Sequence, residues 1–267
     1  ILNLQEKKDF LVMRVALPGD PAEILAGQRF GAVARRGHFI TFQLAGEAEQ
    51  AREMVIHPML AGVFDLAPGR GKLRAEVALA LELDDGRRLL YCDQKQMGKV
   101  YLLPVGQRQM VTGLQSVGID VLDPEVFTPQ AFADLCKKRR DQVRVFLMDK
   151  ATLDSFGNAY ADEALFEAGI HPKTWVRQLD PEDQERLRQA IITVLTSAAA
   201  QIRQRKPPLK QKLRDFLKVR NKAGQPCPRC GTKLRRAGVR GVDSHFCPAC
   251  QPERRKSGIV DWRELKR

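Results

Sequence analysis

Long hydrophobic runs are missing from this 267-residue chain. No apolar stretch approaches the roughly 18 residues that a membrane span needs, and no segment resembles a secretory signal. Both absences speak against a membrane or exported protein. Internal repeats are lacking too, and so is an initiator methionine, because the chain begins Ile1-Leu2-Asn3-Leu4. What is present is the composition of an ordinary globular protein, 43% apolar and 29% charged, long enough for about two domains with a core each.

Acidic residues are scarce in one place only. From Gln201 to Arg267 there are 20 Lys and Arg against 5 Asp and Glu, a net of +15. Residues 1–200 carry 25 against 27, a net of −2, so the whole excess behind the overall +13 lies in the last quarter. A basic segment attached to a neutral body is the electrostatic footprint of a polyanion binder, the alternative being a solvated basic tail.

The pattern along the chain changes once. Residues 1–105 read as short strands, among them Phe39–Leu44, Val77–Leu83, Arg87–Tyr91 and Val100–Leu103, with a brief helical start at Asp20-Pro21. Asp85-Gly86 between two apolar runs predicts a type I′ hairpin. A β-sandwich or barrel is expected there. Residues 106–127, without clear period, read as a linker. Residues 128–206 read as a helical bundle. Thr128-Pro129 and Asp180-Pro181 are N-cap signals, and Leu187, Ala190, Ile191, Val194, Leu195 and Ala198 form one helical stripe. Lys206-Pro207-Pro208 ends the bundle and begins a basic segment, 207–267. The fold class expected is therefore α+β and multidomain: an N-terminal β-sandwich, a helical bundle and a C-terminal zinc-finger β-hairpin.

The last part rests on cysteine spacing. Cys227-Pro-Arg-Cys230 and Cys247-Pro-Ala-Cys250 are two CxxC pairs sixteen residues apart. Each places two thiolates on one tight turn, and two such turns complete a tetrahedral shell for one structural Zn²⁺. Disulfides and a redox dithiol are the alternatives; a chain without an export signal disfavours the first, and the spaced twin disfavours the second. Cys92 and Cys136 read as core thiols.

The segment from Gly157 through Asn158, Tyr160, Asp162, Glu163 and Gly169 to His171-Pro172 resembles the helix–two-turn–helix signature of the formamidopyrimidine-DNA glycosylase/endonuclease VIII family. The zinc ribbon with Ser244-His245-Phe246-Cys247-Pro248, and the order of the parts, fit the same family. The resemblance covers nearly the whole chain from about residue 25 and is strongest over 144–172 and 226–251. It implies a base-excision-repair DNA glycosylase with AP-lyase activity. Such an enzyme binds double-stranded DNA containing damaged bases or abasic sites, flips the target out of the stack and cleaves by β- or β,δ-elimination. A monomer in the bacterial cytoplasm, at the nucleoid, is expected.

The family's nucleophile is an N-terminal Pro amine followed by an acid/base Glu. Neither is present, Ile1 not being Pro, so no catalytic residue is assigned. The expectation is a chain lacking roughly 30 residues, an estimate from typical element lengths, with a naturally inactive relative as the alternative. As written, the chain is expected not to perform the chemistry.

Other positions carry over one by one. Asn158, after Gly157 and before Tyr160, is where backbone and side-chain amides converge on a phosphate; a simple helix cap is the alternative. Arg144 falls where the family has a phosphate-contacting Lys, or is an exposed helical Arg. His38 replaces another such Lys and is a weaker cation. Leu60, with Met59 beside it, takes the place of a Met that fills the gap left by a flipped base, core packing being the alternative. Lys95 and Met97 replace an Arg that the family loop inserts opposite the lesion and an intercalating aromatic, so reading of the opposite base should be less strict. Val242 replaces the hairpin Arg, for which Arg240 could substitute. The stretch from Pro207 to Pro226 is short beside members that fold a loop over 8-oxoguanine, so preference for that lesion does not follow. A non-catalytic damaged-DNA binder and a zinc-ribbon RNA binder are the rival functions.

Overall fold

The structure is a computed structural model and describes residues 1–6, 12–46, 51–154 and 156–253. The end of the predicted 207–267 segment therefore lies outside the described residues. Two compact units are present: Ile1–Gly118 with Arg205–Leu213, and Ile119–Gln204 with Arg214–Arg267.

The first unit contains β1 (Asn3–Glu6), β2 (Val12–Val15), a short helix α1 (Pro21–Leu25), β3 (Arg29–Arg36), β4 (Phe39–Ala45), β5 (Arg52–His57), β6 (Val63–Pro68), β7 (Val77–Glu82), β8 (Arg87–Cys92) and β9 (Lys99–Pro104). They form a four-stranded sheet, β1-β7-β8-β6, and a five-stranded sheet, β2-β9-β5-β4-β3. Only the β2–β9 pairing is parallel among those described. Side chains alternate across a strand, so Met54 and Ile56 of β5 join Leu79, Leu81, Tyr91, Val100 and Leu102 in one core. The intervening Val55, with Tyr101 and Leu103, faces the other way onto Phe39, Val111 and Leu114. Central strands covered on both faces read as unbroken apolar runs. Residues 111–117, which carry no periodic signal in the sequence, supply that outer cover.

The β7–β8 turn differs from the type I′ expectation. Gly86 has φ 78°, but Asp85 is not left-handed. Leu83 N donates to Arg87 O at 2.8 Å, closing a three-residue loop, the form in which a single left-handed Gly suffices.

The second unit holds α2 (Pro129–Lys137), α3 (Val143–Leu147), α4 (Asn158–Ala168) and α5 (Pro181–Arg205). Thr128 Oγ1 accepts from Ala131 N at 3.2 Å, and Asp180 Oδ1 accepts from Asp183 N at 2.8 Å, so both sequence caps form. Gly169, with φ 68°, closes α4. Phe132, Phe146, Leu147, Phe156, Leu165, Leu187 and Ile191 make the core. A hairpin follows, β10 (Arg235–Val239) and β11 (Val242–Phe246), turned by Arg240 and Gly241 at φ 47° and 76°. This is the β-sandwich, helical bundle and zinc-finger hairpin that the sequence implies. Among the described residues, no helix is long and apolar enough to cross a membrane.

Candidate nucleic-acid interface and metal centre

The four ribbon cysteines converge. Their sulfurs lie within 4.8 Å of one another, with Cys227 Sγ 3.9 Å from Cys250 Sγ and Cys230 Sγ 3.5 Å from Cys247 Sγ. Tetrahedral zinc with Zn–S bonds of about 2.3 Å requires sulfurs about 3.8 Å apart, so the residues fit the metal. Backbone amides support the ligands: Arg229 N donates to Cys227 Sγ, and Cys250 N to Cys247 Sγ, each at 3.4 Å. Gln251 closes the second turn, accepting from Cys247 N at 2.9 Å and donating to Ile170 O at 2.9 Å. Cys227 and Cys247 pack on Phe166, Val219 and Leu234. Cys92 and Cys136 are buried elsewhere.

Asp162 and Glu163, adjacent on α4 and both buried, dock the ribbon. Glu163 accepts the amides of Lys218, Val219 and Arg220 at 2.7, 2.9 and 2.9 Å. Asp162 accepts from Ser244 Oγ at 2.7 Å, His245 N at 3.0 Å and Arg220 Nη1 at 2.8 Å. Its fourth partner is Arg144 Nε, at 3.2 Å. None of these docking roles is assigned by the sequence reading. The available signal is two carboxylates set among Ala159, Ala161, Ala164 and Leu165 on a buried helix, where unpaired charge is costly.

Arg144 is only 3% exposed, which corrects the alternative of an exposed helical Arg. Its Nη2 donates to Asn158 Oδ1 at 2.9 Å. Asn158 is exposed at the first position of α4, preceded by Gly157 as N-cap, and no side chain caps the helix. The Asn158 oxygen is thus bonded to Arg144 rather than spent as a cap, and the first amides of α4 remain available. Tyr160, two residues along, is half-buried. Arg240 projects from the hairpin turn but pairs with Asp141 at 3.1 Å. Val242 beside it is exposed.

In the first unit, Leu60 is 77% exposed and Met59 and Met97 are also exposed, so the core alternative for Leu60 does not hold. Both apolar tips follow a left-handed residue: Met59 has φ 50° and Gln96 φ 55°, an uncommon conformation for non-glycine residues. Each is held from beneath. His57 Nδ1 accepts from Met59 N at 3.0 Å. Buried Asp93 accepts from the amides of Lys95, Met97 and Gly98 at 3.1, 2.8 and 2.6 Å. Lys95 is exposed on the same loop. His38 is half-buried, its ring 6.2 Å from that of His57 and its Nε2 inaccessible to solvent, so that nitrogen does not face outward.

Comparison with known proteins bears on this arrangement. Residues 5–100 match the model described as the formamidopyrimidine-DNA glycosylase N-terminal domain. Residues 117–206 match the formamidopyrimidine-DNA glycosylase H2TH domain, and 224–252 the zinc finger found in FPG and IleRS. The formamidopyrimidine-DNA glycosylase of Symbiobacterium thermophilum is 34% identical over 253 residues, covering 91% of this chain and 81% of its own. The chain belongs to the formamidopyrimidine-DNA glycosylase family. The Chloroflexus aurantiacus formamidopyrimidine-DNA glycosylase is 34% identical over 252 residues, covering 92% of this chain and 88% of its own. A solved complex of Lactococcus lactis Fpg with abasic-site DNA shares the fold, with TM-score 0.81, 23% identity and coverage of 95% and 92%. In this formamidopyrimidine-DNA glycosylase family member, Cys227, Cys230, Cys247 and Cys250 form the site for one structural zinc ion.

Proposed function

We propose that this protein is a base-excision-repair DNA glycosylase with AP-lyase activity, acting on double-stranded DNA that contains damaged bases or abasic sites. The observation that carries the reading is the exposed Asn158 at the uncapped start of α4, its oxygen bonded to a buried Arg144. Its amide hydrogens and the first helix amides are then left to donate to an anion, and phosphate is the anion such a terminus takes. Leu60 and Met97, exposed at the tips of braced loops, supply apolar side chains able to fill a base-stack gap. Lys95 adds a cation on the second loop. Arg240 adds one on the zinc hairpin, in place of Val242.

These groups bind and hold a lesion; Asn158, Leu60 and Met97 are not nucleophiles for C1′. The compartment of action is the one that holds the DNA, in a bacterial cell the cytoplasmic nucleoid. Fluorescence anisotropy with duplexes carrying a tetrahydrofuran abasic analogue, against intact duplex and undamaged RNA, tests the reading. Preference for the abasic duplex, steeply weakened by salt, is expected, and equal affinity for RNA would favour an RNA-binding role instead. Borohydride trapping on abasic DNA tests the lyase step, which fails if no adduct forms.

A further inference from the structure

The Asn158 amide has two ends, and only one of them is useful to a phosphate. Turned one way it offers two N–H donors to the anion; flipped, it offers a carbonyl oxygen that repels it. What selects the orientation is beneath it. A guanidinium has five donors and no acceptor, so the group facing Arg144 Nη2 at 2.9 Å is Oδ1, and Nδ2 is left at the exposed side. There it donates to no described residue.

Arg144 is itself fixed by the zinc hairpin. Its Nε meets Asp162, and its Nη2 also donates to the backbone oxygen of Asp243 on β11 at 3.3 Å. Asp162 holds the Ser244 hydroxyl and the His245 amide of the same strand. The Asp243 oxygen takes a second guanidinium, Arg220 Nη1, at 2.9 Å. Arg220 in turn bonds Asp162, closing a ring of contacts from α3 through α4 to the strand that leads into Cys247.

We infer that Arg144 is a positioning residue: it orients the Asn158 amide toward phosphate and makes that orientation depend on the seating of the zinc hairpin. It stands where the family resemblance implies a phosphate contact, yet it is buried and three of its hydrogen bonds are to protein. The inference rests on Asn158 being a phosphate ligand.

A mutant cycle separates the two ideas. Affinity for the tetrahydrofuran duplex is measured across a salt series for wild type, N158A, R144Q and the double variant, with zinc content and Tm recorded for each. N158A should weaken binding by roughly tenfold, as loss of a hydrogen bond to a charged group does. R144Q should weaken it comparably, the double variant no further, and the slope of log K against log salt should not change. A direct Arg144–phosphate contact predicts instead multiplying losses and a slope shallower by about 0.9, which would overturn the inference. If N158A binds as wild type does, the clamp reading itself falls. S244A is the second probe, because it keeps every charge and removes only the hydroxyl contact to Asp162. It should weaken binding in the wild-type background and have no effect on N158A; equal losses in both backgrounds would overturn the proposal even if R144Q does not fold.

Discussion

Gly98 lies so close over Tyr91 that a Cβ on it would stand 2.0 Å from the Tyr91 hydroxyl oxygen. Gly62, closing the other exposed loop, would place a Cβ 2.4 Å from the same oxygen and 2.4 Å from Pro58 O. Two loops that present Leu60 and Met97 therefore rest on one buried phenol. Tyr91 is fully buried against Phe64, ring centroids 5.4 Å apart, and its hydroxyl has no hydrogen-bond partner among the described residues. Burial, with Asp93 nearby, raises its pKa, so it remains a neutral phenol.

G98A should push the 93–98 loop off this support and strain the three amide bonds to Asp93. Overpacking of this kind costs about 1–3 kcal/mol, read as a lower urea midpoint at unchanged m-value. Preference for abasic over intact duplex should fall with it. An unchanged midpoint would mean that the loop has room to move.

L60A and M97A probe the tips without touching the support. Both side chains are exposed, so stability should change by no more than about 0.5 kcal/mol. Affinity for intact duplex should also hold, while the preference for the abasic duplex falls. Loss of stability in either variant would mark it as a packing residue.

These loops show what is legible in a sequence and what is not. The four strands named from the sequence, the Thr128 and Asp180 caps and the zinc ligands are written in local patterns, period, cap and spacing, and the structure reproduces them. The Asp84-Asp85-Gly86 turn is half legible: the need for a left-handed Gly is local, but the loop length follows from the Leu83–Arg87 pairing. The docking roles of Asp162 and Glu163 are not legible, because their partners in the ribbon and the segment before it lie 55 to 83 residues away. Arg144 reads from the sequence as a phosphate contact or an exposed helical Arg, because its partners lie 14, 18 and 99 residues away. Nothing near it in sequence announces that Asp162 and Asp243 close over it.

Glu163 offers a direct test of that long-range docking. Its carboxylate accepts three consecutive backbone amides, and Gln in its place would turn an NH₂ group toward at least one of them. Hydrogen bonds to a charged acceptor are worth about 1.5–3 kcal/mol, and a buried donor left unmet adds its desolvation cost. E163Q should destabilise the second unit by at least about 2 kcal/mol. Limited proteolysis between Pro207 and Pro226 should speed up in parallel. Unchanged cleavage would show that the zinc ribbon seats 218–220 without Glu163.

Acid should remove a smaller contribution from α5. Hydrogen bonds from Arg188 hold the Glu185 carboxyl below its ordinary 4.5, against a weaker opposing effect of burial. Its folded pKa lies below the unfolded one, so the stabilisation is present in full above the unfolded value and is lost as pH falls through the folded value. The side chain is 43% exposed, and solvent screening limits the effect to less than about 1 kcal/mol. E185Q should flatten the acid limb of a stability–pH curve below pH 4.5 and lower stability slightly at pH 7. Parallel curves for the two proteins would assign the acid limb to other carboxylates.

Zinc removal should be legible thiol by thiol. Cys136 is pushed up to about 12 by burial, and burial also raises Cys92; since the thiolate is the reactive form, both should resist iodoacetamide in the folded protein. The other four are protected by the metal. Alkylation should therefore modify none of the six cysteines in the zinc-loaded protein, the exposed Cys230 ahead of the other five after chelation, and all six in guanidinium. Proton release gives the sign of the pH dependence. Without metal, the Cys230 thiol is drawn down to about 6 by hydrogen bonds from Thr232, whereas burial and the neighbouring sulfurs push Cys250 up to about 12 and raise Cys247. Zinc needs all four as thiolates, so at pH 7.5 Cys247 and Cys250 release protons on binding while Cys230 has already lost its own. Titration in dilute buffer with an indicator dye should count fewer than four protons per zinc at that pH, and zinc affinity should fall as pH is lowered. Release of a full four at pH 7.5 would place Cys230 among the protonated thiols and refute the role given to Thr232.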